Sequence, residues 1–236
     1  MATLRLDKYL ADMGLGTRTE VKQFIKKGQV LVNDEVVKKP ETKVSTTDDD
    51  IVCCGEKVGY TEYEYIMLNK PQGVVSATED RHDKTVLDLI TDCGRKDLFP
   101  VGRLDKDTEG LLLLTNDGKL AHELLAPKKH VPKTYFVIVD GVVTEDDVEL
   151  FAKGFRVDAD LLAKPAKLKI VRAKEKSEVY LTITEGKFHQ VKRMFQAVEK
   201  PVLYLKRVQM GELKLDQNLA LGEYRQLTEE ELALLR

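Results

Sequence analysis

Apolar positions recur along this chain at two spacings, and the changes between them mark two modules. Leu6, Tyr9, Leu10 and Met13 fall at helical spacing, so Met1 to Leu10 reads as the start of an amphipathic helix that Gly14-Leu15-Gly16 stops. Thr17 followed by Glu20 predicts a capping box, which opens a second helix with Val21, Phe24 and Ile25 inside and Gly28 just past its end. Val30-Leu31-Val32, a turn at Asn33-Asp34 and Val36-Val37 read as a hairpin, and Ile51-Val52 as a further short strand. Residues 1–58 therefore form a compact α+β module. Residues 59–64 carry no apolar period and read as a linker.

A larger module spans residues 65–236. Tyr65-Ile66-Met67-Leu68 and Val74-Val75 flank a Pro71-Gln72-Gly73 turn, which suggests adjacent strands or a strand and its return. Val86 to Ile90 predicts a short helix, and Leu111-Leu112-Leu113-Leu114 predicts a strand buried on both faces. Gly118 to Leu125 reads as a helix capped by Asp117 with Leu120, Leu124 and Leu125 inward. Lys133 to Val139 alternates as a strand with Tyr135, Val137 and Val139 on one face. Thr144 with Asp147 opens another helix that Gly154 closes, and Val179 to Thr184 and Val202 to Leu205 supply strands. Val191, Met194, Phe195 and Val198 form the apolar stripe of a last helix, with His189, Lys192 and Gln196 together on another face. Elements interleave irregularly, so this module is α+β with a mixed, mainly antiparallel sheet flanked by helices.

Composition narrows the function classes. At 236 residues, 42% hydrophobic and 33% charged, the chain fits a soluble globular protein, and no apolar run approaches the roughly 18 residues of a membrane span. The amino terminus shows no signal segment, and three cysteines without metal-ligand spacing suit a reducing cytoplasm. A net charge of −2 argues nothing about nucleic acid, but its distribution does. Residues 1–43 hold nine Lys or Arg against six Asp or Glu, and Arg18, Lys22 and Lys26 lie four apart as one basic stripe. The four histidines lack metal-ligand partners, and phosphate-binding, dinucleotide-binding and Gly-x-Ser-x-Gly patterns are absent. Neither a metal nor a cofactor is expected. Candidate chemistry is left to carboxylates, a tyrosine and basic groups, above all the charged loop between Gly102 and Gly110. Taken alone, that loop reads as a polar turn and Tyr135 as a core aromatic.

Two resemblances change those readings. Leu4-Arg5-Leu6-Asp7-Lys8-Tyr9-Leu10, Thr17-Arg18 and Ile25-Lys26-Lys27-Gly28-Gln29-Val30-Leu31-Val32-Asn33 resemble an S4 RNA-binding domain. Gly102-Arg103-Leu104-Asp105-Lys106-Asp107-Thr108-Glu109-Gly110 resembles the catalytic motif of the pseudouridine synthases, in the branch of ribosomal small subunit pseudouridine synthase A and its large-subunit relatives. Leu68-Asn69-Lys70-Pro71, Lys133-Thr134-Tyr135 and Glu185-Gly186-Lys187-Phe188-His189-Gln190-Val191-Lys192-Arg193-Met194 agree in order.

The resemblance implies a small αα-β S4 domain followed by a catalytic domain with a central cleft. It implies a cytoplasmic monomer that isomerises a specific uridine of 16S ribosomal RNA, at a site of the uridine-516 type, in naked RNA or a small-subunit assembly intermediate. Asp105 matches the catalytic aspartate, Tyr135 the tyrosine that packs on the target base, and Lys192 the basic partner of the carboxylate. Arg103 matches the arginine that fills the space of a flipped nucleotide. Asn69, Lys70, His189 and Arg193, with Arg5, Lys8, Arg18, Lys22, Lys26 and Lys27 of the first module, are the candidate RNA contacts. Alternatives are a synthase of the same branch acting on 23S RNA, a non-catalytic ribosome-assembly factor, and a carboxylate-based nucleoside hydrolase.

Overall fold

The computed structural model describes residues 3–91 and 93–236, which pack as two units. The first comprises Met1–Glu64 and Thr91–Leu98; the second comprises Tyr65–Ile90 and Phe99–Arg236.

In the first unit, β1 (Thr3–Arg5) leads into α1 (Leu6–Asp12) and α2 (Arg18–Lys26). The predicted capping box forms: Thr17 Oγ1 accepts from the Glu20 amide, and the Glu20 carboxylate accepts from the Thr17 amide at 2.7 Å. β2 (Val30–Val32), β3 (Glu35–Val36), β4 (Lys43–Ser45), β5 (Ile51–Cys53) and β6 (Glu56–Lys57) follow. The helix expected from Met1 begins only at Leu6, and Met1 and Ala2 lie outside the described residues. Residues 3–5 instead pair antiparallel with β4, a partner some forty residues downstream that local periodicity cannot reveal. The stretch read as a linker is also packed: the Tyr60 ring lies 5.0 Å from that of Tyr9, and its hydroxyl donates to Asp12 at 3.2 Å. Buried Arg95 joins them, pairing with Asp97 at 2.6 Å and lying within 3.8 Å of Asp12. A loop from the middle of the larger module thus belongs to the first unit.

The second unit is built on one nine-stranded sheet. Its strands include β7 (Tyr65–Lys70), β8 (Phe99–Pro100), β9 (Glu109–Thr115) and β10 (Lys133–Asp140). Helix α3 (Gly118–Leu125) lies between β9 and β10, and α4 (Glu145–Lys153) follows β10. A small separate hairpin joins β11 (Phe155–Arg156) to β12 (Leu162–Ala163). β13 (Lys167–Arg172), β14 (Lys176–Ile183), α5 (Gln190–Ala197), β15 (Val202–Met210), β16 (Leu213–Lys214), β17 (Tyr224–Gln226) and α6 (Glu229–Ala233) complete it. Strand order is β13-β14-β10-β15-β9-β7-β17, antiparallel except where β15 and β9 run parallel. All seven residues of β9 are buried, as the apolar run predicts for a central strand.

The two faces are covered differently. On one face Leu120 and Leu124 of α3, with Leu232 and Leu235 at the carboxyl end, pack on Met67, Leu111 and Leu113. Tyr135, Val137 and Leu205 point to the other face, where Val191, Met194 and Phe195 of α5 are buried and Phe195 meets Phe151 of α4 with ring centroids 5.1 Å apart. Leu125, expected inward, is 43% exposed at the end of its helix. Val74 and Val75 form no return strand against β7; Val75 makes a single bridge to Thr85.

Candidate active site

The charged loop leaves β8 and enters β9 at the edge of the second face. Gly102 and Gly110 bracket it with φ of +79° and +103°. At Gly110 a Cβ would stand 2.2 Å from the carbonyl oxygen of Arg207, because β9 and β15 run side by side there, so only glycine fits. Asp105 lies between them, with its carbonyl accepting from the Thr108 amide at 3.0 Å.

The segment after β7 fastens this loop. Ser76 Oγ donates to the Leu104 carbonyl at 2.9 Å and accepts from the Leu104 amide at 3.0 Å. The Gly73 amide donates to the Lys106 carbonyl at 2.8 Å. Lys70 is fully buried, and its Nζ donates to the carbonyls of Pro71 (3.0 Å), Asp105 (3.0 Å) and Thr108 (2.9 Å). Burial pulls this ammonium down to about 8, against the opposing pull of Asp107, Asp105 and Glu109. Lys70 therefore holds the backbone of the loop and does not meet RNA, which corrects the expectation for it. Asn69 does not reach the Asp105 cleft. As Lys70's neighbour on a strand it points to the opposite face, is buried, and donates to the Leu219 carbonyl at 2.7 Å.

The start of α5 faces the loop. Lys192 Nζ lies 3.0 Å from Asp105 Oδ2 and 2.5 Å from Asp107 Oδ1. Burial works to lower the Lys192 ammonium, but the two carboxylates outweigh it and hold it above the ordinary lysine value. Burial likewise works to raise Asp107, and Lys192 holds it below the usual range. His189 Nε2 is 3.6 Å from Asp105 Oδ1. Buried Gln190 ties the turn before the helix, donating to Glu185 at 2.7 Å and accepting from the Lys187 amide at 3.0 Å.

Asp105 opens onto two adjoining spaces. A cavity of about 70 Å³ is bounded by Asp105, Tyr135, Leu205, Arg103 and Lys192. A wider hollow of about 460 Å³ lies between Asp105, His189 and Lys192 on one side and Gln72 and Gly73 on the other. The Tyr135 ring is buried with its strand face toward Asp105. Arg103 is exposed and forms no ion pair among the described residues, since Asp107 is taken by Lys192 and Glu109 by the Tyr204 hydroxyl at 2.6 Å. The sequence-predicted Asp105, Tyr135, Lys192, Arg103 and His189 thus meet in one place. Arg193 does not join them: its guanidinium grips Asp158 at 2.8 and 2.5 Å.

Phe188 is a neighbour that the sequence reading passed over. It is 75% exposed and stacks on the His189 ring with centroids 3.8 Å apart. Helical spacing from Val191 and Phe195 would bury it, but His189 takes a φ of +49° and breaks the helix before that turn.

Within the first unit the basic residues divide. Arg5 grips Asp7 at 3.0 and 2.9 Å, and Lys22 stands 3.8 Å from the same carboxylate. Burial works to raise Asp7, and its cationic partners hold it below the usual range. Lys8 pairs with Asp12 at 3.6 Å. Arg18, Lys26 and Lys27 are exposed and form no salt bridge among the described residues.

A carboxylate held by a lysine at the mouth of a cavity bounded by a tyrosine and an arginine, in a chain whose other unit exposes Arg18, Lys26 and Lys27, suits chemistry on a nucleotide. Family models agree: RNA pseudouridylate synthase matches residues 64–197, and the S4 domain matches residues 4–51. The chain belongs to the RNA pseudouridine synthase family and is an isomerase of that class.

Its relatives align with it over nearly their whole length. The chain is 51% identical over 98% of both sequences to an uncharacterized RNA pseudouridine synthase, YtzG, of Bacillus subtilis. It is 42% identical to ribosomal small subunit pseudouridine synthase A of Vibrio cholerae, over 98% of each chain. For the Escherichia coli K12 protein of that name the identity is 40%, over 98% of this chain and 99% of that one. A crystal structure of a pseudouridylate synthase covers 99% of this chain with 100% of its own, at 39% identity and a TM-score of 0.69.

Proposed function

We propose that this protein converts one uridine of 16S ribosomal RNA to pseudouridine, with Asp105 as the catalytic group. The observation that carries this reading is the Asp105 carboxylate at the mouth of the Tyr135 cavity, 3.0 Å from Lys192. Full-length identity to small-subunit synthases supports the choice of RNA.

The reaction breaks the bond from ribose C1′ to N1 of uracil, turns the base and joins C1′ to C5. The C5 proton leaves and N1 gains one, so the reaction needs no oxidant or reductant. A carboxylate can take the nucleophile's part on the sugar or base, or act as base on a ribose-derived intermediate. The same position serves all three routes. Reaching the base requires extruding it from folded RNA, at a cost of about a few kcal/mol. Arg103, exposed at the rim and without an ion pair among the described residues, would fill the gap, and the buried Tyr135 ring would pack on the extruded base. Arg18, Lys26 and Lys27 of the first unit would hold the surrounding RNA by phosphate contacts.

Chemical mapping of pseudouridine across both ribosomal RNAs, from cells with and without the gene, tests the assignment. Loss of one small-subunit site, restored by the wild-type gene, is expected. Loss at a large-subunit site alone, or no loss, would overturn the target.

A further inference from the structure

The sheet of the second unit has a face the reaction does not use. Helices α3 and α6 cover it over β7 and β9. Over β13, β14, β10 and β15 the same face carries a groove of about 810 Å³.

Cross-strand register orders the side chains there. Lys169 pairs with Tyr180, Tyr180 with Phe136, and Phe136 with Lys206, so one row across four strands reads cation, aromatic, aromatic, cation. The Phe136 ring centroid lies 5.5 Å from that of Tyr180 and 6.3 Å from that of Tyr204. Tyr180 is 38% exposed, and Phe136 and Tyr204 are half-buried. In the next row Lys167 pairs with Thr182, whose hydroxyl is 2.8 Å from that of Thr134.

Charge lining this groove is one-sided although the whole chain carries −2 and buried Glu109, on the same face, is held by the Tyr204 hydroxyl. The groove is lined by Lys167, Lys169, Lys206 and Lys214 against one acid, Asp216, whose carboxylate Arg225 holds at 2.8 Å. Glu178, at the border, is bound by Arg172. None of the four lysines forms a salt bridge among the described residues.

An ordinary solvated sheet face mixes both signs of charge, and a protein-docking core is depleted of lysine. Aromatic rings on an open sheet between lysines suit single-stranded RNA, whose bases stack on rings while its phosphates meet ammonium groups. Across three strand spacings the lysines ending the row stand about 14 Å apart, the scale on which a four-stranded sheet holds two or three bases.

We propose that this face is a second RNA-binding surface, which holds a single-stranded segment of the substrate by stacking on Phe136 and Tyr180 and by phosphate contacts from Lys169 and Lys206. The choice of RNA as occupant rests on the function proposed above. The surface lies on the opposite side of the sheet from Asp105, so it fixes the substrate without touching the reacting base.

The test uses the full chain with a short single-stranded oligouridylate and, separately, with 16S RNA. Ultraviolet crosslinking of wild-type protein to the oligouridylate should map to Phe136 or Tyr180. Lys169→Ala with Lys206→Ala should weaken oligouridylate binding about tenfold, and lower the slope of log K against log salt by about 1.4 for two lost phosphate contacts. Turnover at saturating 16S RNA should stay unchanged. Unaltered binding and slope in the double variant would overturn the proposal, as would crosslinks confined to other peptides. So would a wild-type dimer, seen by sedimentation, that the substitutions disperse. Failure of wild-type protein to modify 16S RNA would instead overturn the function, and the oligouridylate readout does not depend on it.

Discussion

Lys192 Nζ lies between two carboxylates, 3.0 Å from Asp105 and 2.5 Å from Asp107, so one ammonium fixes both acids of the loop. Asp107 is the more exposed of the two, with 69% of its side chain accessible against 27% for Asp105. The pair divides into a carboxylate that faces the cleft and one that anchors the lysine. Lys192→Met should lower single-turnover pseudouridine formation by about a hundredfold, the scale of losing one preorganised charge. Asp107→Asn should cost about tenfold or less. An equal loss in both variants would show that Asp107 also takes part in the chemistry.

Lys70 gives a pH signature. Its folded value of about 8 lies below the ordinary lysine value of 10.5. Between those values the unfolded chain binds more protons than the folded one, so this group makes stability rise with pH across that window. Below about 8 both states are protonated and the contribution is flat. Urea unfolding at pH 7 and pH 10 should show wild type gaining on Lys70→Met by up to about 3 kcal/mol. Parallel curves would contradict the buried, charge-penalised lysine.

Gly110→Ala should disrupt the junction of β9 and β15. Its Cβ would meet the Arg207 backbone at 2.2 Å, and its φ of +103° disfavours any side chain. A loss of about 3 kcal/mol or more in unfolding free energy is expected, since strain and overpacking add. A variant as stable as wild type would show that the strands can shift apart.

Much of this architecture was legible from local pattern. The capping box of α2, the buried run of β9 and the stripe of α5 each need only short-range spacing, and each forms. Contacts set by distant partners were not legible. Residues 3–5 have too few positions to reveal their pairing with β4, and the Arg95 loop leaves the larger unit to pack beside Tyr60. Within the site, motif order brought Asp105, Tyr135 and Lys192 together. It did not show that Asn69 and Lys70, as strand neighbours, face opposite ways, or that a left-handed His189 turns Phe188 out to solvent.

Arg18, Lys26 and Lys27 are exposed cations on and just past α2 and should carry phosphate contacts. Replacing all three with Ala should weaken RNA binding and lower the salt slope by about 2 to 3. Arg5→Ala should instead destabilise the unit, because it strips the buried Asp7 of its bidentate partner. A titration series against salt, read beside thermal unfolding, separates the two outcomes. An Arg5 variant that loses RNA affinity with unchanged stability would reverse the division.

Asp105→Asn tests the central claim most directly, because it removes one charge while keeping the shape of the loop. Pseudouridine formation in 16S RNA should fall below detection while RNA affinity stays within about threefold of wild type, as the phosphate contacts lie elsewhere. Conversion near the wild-type rate would contradict the account.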